Sequence, residues 1–226
     1  QTDICNLYVI PNNSSTGNIE FGDIQEFSLS GAAVTLKVGD LDNDGKADVA
    51  ATLLLKSSVA IFRNIGADGV IDFAEPQLFE SDDKPYGLDF GDLDGDGKLD
   101  MAAASITRKS ITILHNASTP GNLSFQRVIM PTTYINRQVA IGDVDGDGKP
   151  DVSFTSIDDN VSGDLASHIS IFRNTRCIIP VIKPEGPHTI CTGNSVELFT
   201  TPSPGLSYEW KNNGTPIGGE IDFTLH

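Results

Sequence analysis

Short runs along most of the chain alternate apolar and polar residues, and clusters of Gly, Asn, Asp and Ser separate them. The clearest runs carry β-branched residues at every second position: Val59 and Ile61, Ile111 and Ile113, Ile169 and Ile171. A period of two with β-branched residues is typical of strands. We therefore predict an all-β protein and expect Ile61, Ile113 and Ile171 to be buried between sheets.

These strand patterns belong to a repeating unit of about 50 residues. Four apolar runs end in asparagine: Asn12, Asn64, Asn116 and Asn174. After the first three, Gly follows the Asn by five residues and Phe follows that Gly by four. The period between Asp40, Asp92 and Asp143 is 52 and then 51 residues. Such a period, built from short strands and turns, is typical of a β-propeller with about four strands per blade.

One unit is predicted to contain four strands, at 33–38, 48–54, 58–63 and 76–80, of which the fourth has the weakest pattern. The last unit is longer between its second and third strands, and the extra residues lie within 158–167. Because they are polar and include Gly, we predict a loop that projects from the rim of a blade. Loops of this kind often carry function.

Each unit also contains an aspartate-rich loop of the form G-D-[LV]-D-x-D-G-K-x-D. Carboxylates occupy positions 1, 3, 5 and 9, counted from the first Asp: Asp40, Asp42, Asp44 and Asp48; Asp92, Asp94, Asp96 and Asp100; Asp143, Asp145, Asp147 and Asp151. Oxygen donors at this spacing suit Ca²⁺, which takes about 6 to 8 of them. Position 7 would donate only its backbone carbonyl, so we expect the ammonium groups of Lys46, Lys98 and Lys149 to point outward.

The alternative interpretation is a set of acidic turns without metal, since Asp and Gly both favour turns. A turn needs one Asp, whereas each loop places four in nine residues, and two unit charges ~4 Å apart repel by about 4 kcal/mol at an effective dielectric of 20. Magnesium is disfavoured because all-protein cages rarely hold it. An EF-hand is disfavoured because position 12 carries Ala51, Ala103 and Phe154 in place of Glu. We therefore predict three Ca²⁺ loops, each between two strands.

The charge of the chain follows largely from these loops. Acidic residues outnumber basic ones 31 to 15, which gives a net charge of −16, and three bound Ca²⁺ would bring it to −10. Nucleic acid and anionic membranes bind through clustered Lys and Arg, so neither is an expected partner. No apolar run approaches the length of about 18 residues that a membrane-spanning helix needs, and we expect no membrane insertion.

Three cysteines, Cys5, Cys177 and Cys191, are too few for a disulfide framework, and no CxxC or His pair marks a zinc site. They fit a mixture of buried thiols and one bridge. Weak multi-carboxylate loops match the millimolar calcium found outside cells, so we expect an exported protein. Cys177 and Cys191 then become candidates for a disulfide.

The segments GDLDGDGKLDM, ITILHN and GNLSF resemble the FG-GAP/VCBS repeat, the calcium-loop blade of integrin α-subunit heads and of many secreted bacterial propellers. The resemblance covers residues 7–174 and its Asp-rich loop is specific. It implies that the aspartates of each loop bind Ca²⁺ between the first and second strands of a blade. It also implies a secreted or cell-surface location.

The repeats provide about three blades, whereas a closed propeller needs about 4–8. We therefore expect residues 1–176 to be the C-terminal part of a propeller whose other blades belong to a longer parent chain. A Pro-rich linker is predicted at 177–184. In residues 185–226, C-x-G-x-S-V-x-L and Y-x-W-x-x-N-G resemble the first half of a bacterial Ig-like β-sandwich, and Trp210 is expected to pack in its core rather than to stack on a sugar.

No catalytic motif accompanies the four histidines, and the paired aspartates are better explained as metal ligands than as glycosidase carboxylates. We therefore expect a non-enzymatic protein, a calcium-stabilised propeller that serves adhesion or binds a protein or carbohydrate ligand at a cell surface. The alternative is an accessory region of an extracellular polysaccharide lyase or hydrolase whose catalytic part lies elsewhere. A cleft with basic residues beside an openly coordinated calcium would favour that alternative.

Overall fold

The computed structural model describes residues 4–67, 70–158 and 167–175, together with the backbone of five short strands beyond residue 181. Every regular element in these residues is a β-strand, so the prediction of an all-β protein is confirmed. Within the same residues, no helix is long and apolar enough to cross a membrane.

The strands alternate with short connections along the chain. In chain order they are β1 (Ile4–Val9), β2 (Gln25–Ser30), β3 (Ala33–Gly39), β4 (Asp48–Leu53), β5 (Ser58–Phe62), β6 (Gln77–Glu80), β7 (Pro85–Gly91), β8 (Asp100–Ser105), β9 (Ser110–Asn116), β10 (Phe125–Pro131), β11 (Ile135–Gly142), β12 (Asp151–Ile157), β13 (Ser167–Phe172), β14 (Ile182–Lys183), β15 (Leu198–Thr200), β16 (Lys211–Asn212), β17 (Thr215–Pro216) and β18 (Thr224–Leu225). The four strands predicted for one unit correspond to β3, β4, β5 and β6.

Within β1 to β13, consecutive strands pair antiparallel to form four successive sheets, and β14 to β18 form two further small sheets. The first is the hairpin β1–β2; the second and third are four-stranded meanders, β3 to β6 and β7 to β10; the fourth is the three-stranded β11–β12–β13. β7 contacts both β3 and β11, so the first strands of the meanders stand side by side. This is the arrangement of propeller blades around an axis. The hairpin corresponds to the third and fourth strands of an earlier blade.

A shift in the pairing register recurs in the first strand of the second, third and fourth sheets, which supports the repeat. The register shifts between Ala33 and Leu36 in β3, and equivalent shifts occur in β7 and β11. The Gly at the end of that strand permits close packing of the next blade, because a Cβ on Gly91 would lie 2.3 Å from Cγ2 of Ile141. Packing therefore explains this glycine in the first two loops, because a Cβ on Gly39 would also lie 2.9 Å from Cδ1 of Leu99, whereas a Cβ on Gly142 would meet nothing within 4 Å.

Apolar side chains fill the spaces between neighbouring sheets in three clusters. One lies between the hairpin and the second sheet, around Phe62 and Phe73. Another joins the second and third sheets through residues such as Ile61 and Leu88, and the last joins the third and fourth through Ile111 and Phe154. β4 and β8 are buried along their whole length because sheets cover both of their faces.

The burial predicted for the three isoleucines holds only in part. Ile61 is fully buried and Ile113 is half-buried, but Ile171 is 48% exposed, so its prediction is wrong. In β13, Phe172 faces the third sheet, whereas Ile171 points to the opposite face. No sheet among the described residues covers that face. Ile171 would be buried only if a further sheet packed on that face, and the repeat pattern alone does not indicate whether one does.

Other predictions concern parts of the chain outside the described residues. These include most of the extra loop within 158–167, the linker at 177–184, the pairing of Cys177 with Cys191, and the core role of Trp210. Cys5 is a half-buried free thiol. The predicted domain boundaries and the Ig-like assignment stay predictions.

Candidate metal centre

The three aspartate-rich loops occupy equivalent places in successive sheets. Each joins the first strand of its sheet to the second: β3 to β4, β7 to β8, and β11 to β12. Glycine at position 6 has a positive φ in every loop, 87° in Gly45, 84° in Gly97 and 82° in Gly148. Residues with a Cβ rarely adopt this conformation, so glycine at position 6 permits the sharp bend of the loop.

The aspartate at position 1 holds the loop in shape through its own carboxylate. Asp40 accepts the N–H of Asp44 at Oδ1 (3.2 Å) and the N–H of Gly45 at Oδ2 (2.9 Å). Asp92 and Asp143 make the same two bonds and accept a third amide, from position 4. A carboxylate offers about four lone-pair sites, so these bonds leave capacity for a cation.

The aspartate at position 3 connects the loop to the end of the third strand. Its Oδ1 accepts the N–H of position 5 at 3.1 or 3.2 Å in all three loops. Its Oδ2 faces a basic residue: Arg63 Nη1 is 3.9 Å from Asp42, His115 Nε2 is 2.6 Å from Asp94, and Arg173 Nε bonds to Asp145. The hydrogen bond from Arg173 lowers the pKa of Asp145. Arg63 and Arg173 each balance part of the charge of their loops, and His115 shares a hydrogen bond with its loop.

These basic residues were not predicted from the sequence, although the sequence contains a signal for them. They precede the asparagines that end the third strands, in Phe-Arg-Asn, Leu-His-Asn and Phe-Arg-Asn. The alternation of apolar residues indicates the strand and the Asn that follows it. A single basic residue at the end of a strand is common on protein surfaces and does not by itself indicate a site. Only the threefold recurrence of a basic residue at this place could have linked it to the acidic loops.

The aspartate at position 9 is buried and accepts two backbone hydrogen bonds. Asp48, Asp100 and Asp151 have at most 1% of their surface exposed. Each accepts one N–H from position 2 of its loop and one from the Asn that ends the third strand, at 2.7–3.0 Å. Burial raises the pKa of Asp48 and Asp100, although both backbone bonds oppose that shift. The carboxylate therefore ties the loop to two strands.

Oxygens from positions 1, 3 and 9 converge in every loop. Their closest atoms lie within 4.8 Å of one another in three groups: Asp40, Asp42 and Asp48; Asp92, Asp94 and Asp100; Asp143, Asp145 and Asp151. Ligands on opposite sides of a calcium ion, at about 2.3–2.6 Å each, are about 5 Å apart. The spacing and the hard oxygen donors therefore fit a calcium ion. The structure brings these nine predicted residues together.

Positions 5 and 7 are arranged differently from the prediction. The Nζ atoms of Lys46, Lys98 and Lys149 lie 3.6–3.8 Å from the carboxylates of Asp44, Asp96 and Asp147 instead of pointing outward. The other oxygen of each of these aspartates accepts the N–H of the same lysine at 2.9–3.0 Å. The ammonium group is drawn to the nearest negative charge. In the second loop, Asp96 also groups with Asp94 and His115.

The asparagine at the end of the third strand links neighbouring blades. Asn116 donates from Nδ2 to its own loop at Leu99 O and to the preceding loop at Leu41 O, both at 2.9 Å. Asn174 makes the corresponding bonds to Pro150 O and Leu93 O.

A second cross-blade bond reaches the first loop directly. The N–H of Gly121, in the turn after β9, donates to Oδ2 of Asp42 at 2.8 Å. That oxygen belongs to the position-3 carboxylate of the preceding blade. Packing of the next blade therefore helps to orient a metal-binding oxygen of the first loop.

Comparison with known families agrees with the repeated blades. Residues 53–103 and 94–153 match the family model described as FG-GAP-like repeat. No curated protein and no solved structure gives a significant match. This part of the chain thus consists of FG-GAP-like repeats, folded as blades of a β-propeller, and loop 40–48 just before it has the same sequence form. Such repeats are typical of extracellular and adhesion-type proteins and are typically non-catalytic.

Proposed function

We propose that each aspartate-rich loop binds one Ca²⁺ and that the metal stabilises a β-propeller that serves adhesion or ligand binding outside the cell. The observation that carries this proposal is the convergence of three carboxylates within 4.8 Å, repeated in all three loops. An acidic turn that only reverses the chain has no need for such convergence. The proposed role is binding, not catalysis, with a protein or carbohydrate partner at a cell surface.

In this proposal, side-chain oxygens of positions 1, 3, 5 and 9 and the carbonyl of position 7 hold the ion. The position-5 carboxylates of Asp44, Asp96 and Asp147 would exchange the lysine ammonium for the metal. A divalent ion competes well for that place, because it carries twice the charge and binds oxygen directly. The lysine carbonyls of Lys46, Lys98 and Lys149 are proposed ligands on the basis of the loop spacing.

Calcium would stabilise the array for two reasons. It would neutralise carboxylates that repel one another by about 4 kcal/mol per pair at ~4 Å. It would also strengthen the link between the loop and the third strand of the same blade, because the loop carboxylates that would bind the ion also contact the end of that strand. In the first loop, Asp42 additionally contacts Gly121 of the next blade. Metal binding and blade packing would then favour each other.

The test is thermal unfolding of the whole chain in 10 mM Ca²⁺ and in EDTA, with Mg²⁺ at equal ionic strength as the control. Extracellular-type sites have Kd of about 10⁻⁴–10⁻³ M. Each would add about 1.4–2.7 kcal/mol at 10 mM Ca²⁺. Summed over three loops, this predicts a rise in Tm of at least about 8 °C. Equal melting in Ca²⁺ and EDTA would contradict the stabilising role, and an equal effect of Mg²⁺ would contradict the choice of metal.

A further inference from the structure

A cavity of about 360 Å³ lies between the third and fourth sheets, beside the segment that follows β10. The segment after β10 contributes Thr132 and Tyr134, β12 contributes Phe154 and Ser156, and β13 contributes Phe172. Its volume is in the lower part of the range of small-molecule sites, about 300–1,000 Å³. The cavity is separate from the carboxylates of the loops.

A row of unsatisfied polar atoms crosses the fourth sheet beside this cavity. Asn136, Ser156 and His168 are direct partners on β11, β12 and β13, so their side chains share one face of the sheet. Asn136 Oδ1, Ser156 Oγ and His168 Nε2 are all buried without a hydrogen-bond partner among the described residues. Asn136 is fully buried and Ser156 is 1% exposed, and the latter lines the cavity.

Buried polar groups are normally hydrogen-bonded, and an unpaired one costs about 1–3 kcal/mol. Only two other buried side-chain atoms in the described residues lack a partner, Gln25 Oε1 and Ser58 Oγ, and both lie in other sheets. The equivalent serine of the preceding blade, Ser105, donates to Asp83 O at 2.6 Å. The unpaired row is therefore particular to the fourth sheet, and one of its members, Ser156, lines the cavity where a ligand can reach it.

The lining of the cavity combines hydroxyl groups with aromatic rings. Thr132, Ser156 and Ser170 provide hydroxyls, and Phe154 and Phe172 pack with their ring centroids 4.8 Å apart. No lining residue carries a formal charge among the residues that the structure describes. An ionic ligand would be desolvated there without a counter-charge, which is costly. A neutral ligand with many hydroxyls and an apolar face suits both kinds of surface.

We propose that this cavity is a binding site for a neutral saccharide unit. A sugar hydroxyl would pair with Oγ of Ser156, and the apolar face of the ring would lie against Phe154 and Phe172. This inference rests on the proposed binding role and names the chemical class of the ligand, but it does not depend on the metal loops.

The test is saturation-transfer NMR on the whole chain in calcium-containing buffer. The probes are glucose, galactose, mannose, N-acetylglucosamine, maltose and lactose, with glucuronate as the charged counterpart of glucose. We expect saturable binding of at least one neutral sugar and weaker binding of glucuronate. Ser156→Ala should weaken that binding about tenfold, the loss expected for one good hydrogen bond. Ser153→Ala, on the opposite face of the same strand, should leave it unchanged.

Thermal unfolding of the same variants separates binding from folding. Because the hydroxyl of Ser156 is buried and unpaired, Ser156→Ala should keep or raise the Tm of the free protein. Absence of binding by every neutral sugar would overturn the proposal, as would equal binding by the two serine variants. Neither result would alter the calcium dependence of Tm, so the two proposals fail independently.

Discussion

Replacement of Asn116 by alanine tests whether the cross-blade bonds hold the array together. Asn116 is fully buried between the second and third sheets. Its Nδ2 donates to Leu41 O and Leu99 O, and its Oδ1 accepts the N–H of Ser118 at 2.8 Å. Alanine would remove all three bonds and leave two carbonyls and one amide without their partner.

The magnitude follows from these three bonds. Each is worth about 1 kcal/mol net, and groups left buried and unsatisfied add to the cost. We expect Asn116→Ala to lower the free energy of unfolding by about 3–5 kcal/mol, measured by chemical denaturation in saturating Ca²⁺. The matched control is Asn64→Ala. Asn64 is half-buried and bonds to Ala47 O and to the N–H of Gly66, both close to its own loop.

Asn64→Ala should cost about 1–2 kcal/mol, because two bonds are lost in a partly solvated place. The difference between the two variants then measures the contribution of the cross-blade contact. Equal losses for both variants, or a loss below about 1 kcal/mol for Asn116→Ala, would refute the view that the asparagine stabilises blade packing.

Three further predictions concern the core, the lysines and pH. Ile61→Ala should lower the free energy of unfolding by about 2–5 kcal/mol because Ile61 is fully buried. Ile171→Ala should change it by less than about 0.5 kcal/mol because Ile171 is exposed. Comparable losses would show that the sheet faces are misassigned. Lys98→Ala should leave calcium affinity unchanged or slightly higher in calorimetry, because it removes a competing ammonium; loss of the site would show that the side chain is needed. Calcium affinity should fall as pH is lowered from 7 to 5, because Ca²⁺ needs ionised carboxylates and burial raises the pKa of Asp48 and Asp100. Constant affinity would contradict the role of these two aspartates as ligands.

The strands, the blades and the loops could be predicted from the sequence because their causes are local. A period of two marks a strand, and the spacing of four aspartates around one glycine marks a loop, so each unit repeats its own signal. The predicted ranges for β3 to β6 differ from the structure by one residue at most at each end. The convergence of positions 1, 3 and 9 follows from the same short segment.

The remaining features depend on residues that are distant in the sequence. Asn116 and Leu41 are 75 residues apart, and Gly121 and Asp42 are 79 apart, so nothing local indicates that they bond. The burial of Ile171 is decided by whether another sheet covers its face. The position of the lysines depends on a balance of charges within the loop, which residue spacing does not encode.

Calorimetric titration of the metal-free chain with Ca²⁺ counts the metal sites and shows whether each loop binds one ion. We expect three sites with Kd of about 10⁻⁴–10⁻³ M. Asp143→Asn should reduce the number to two, and Asp23→Asn, an exposed aspartate outside the loops, should keep it at three. Fewer than two sites in the unaltered protein, or no loss of a site in Asp143→Asn, would contradict the assignment of one calcium ion to each loop.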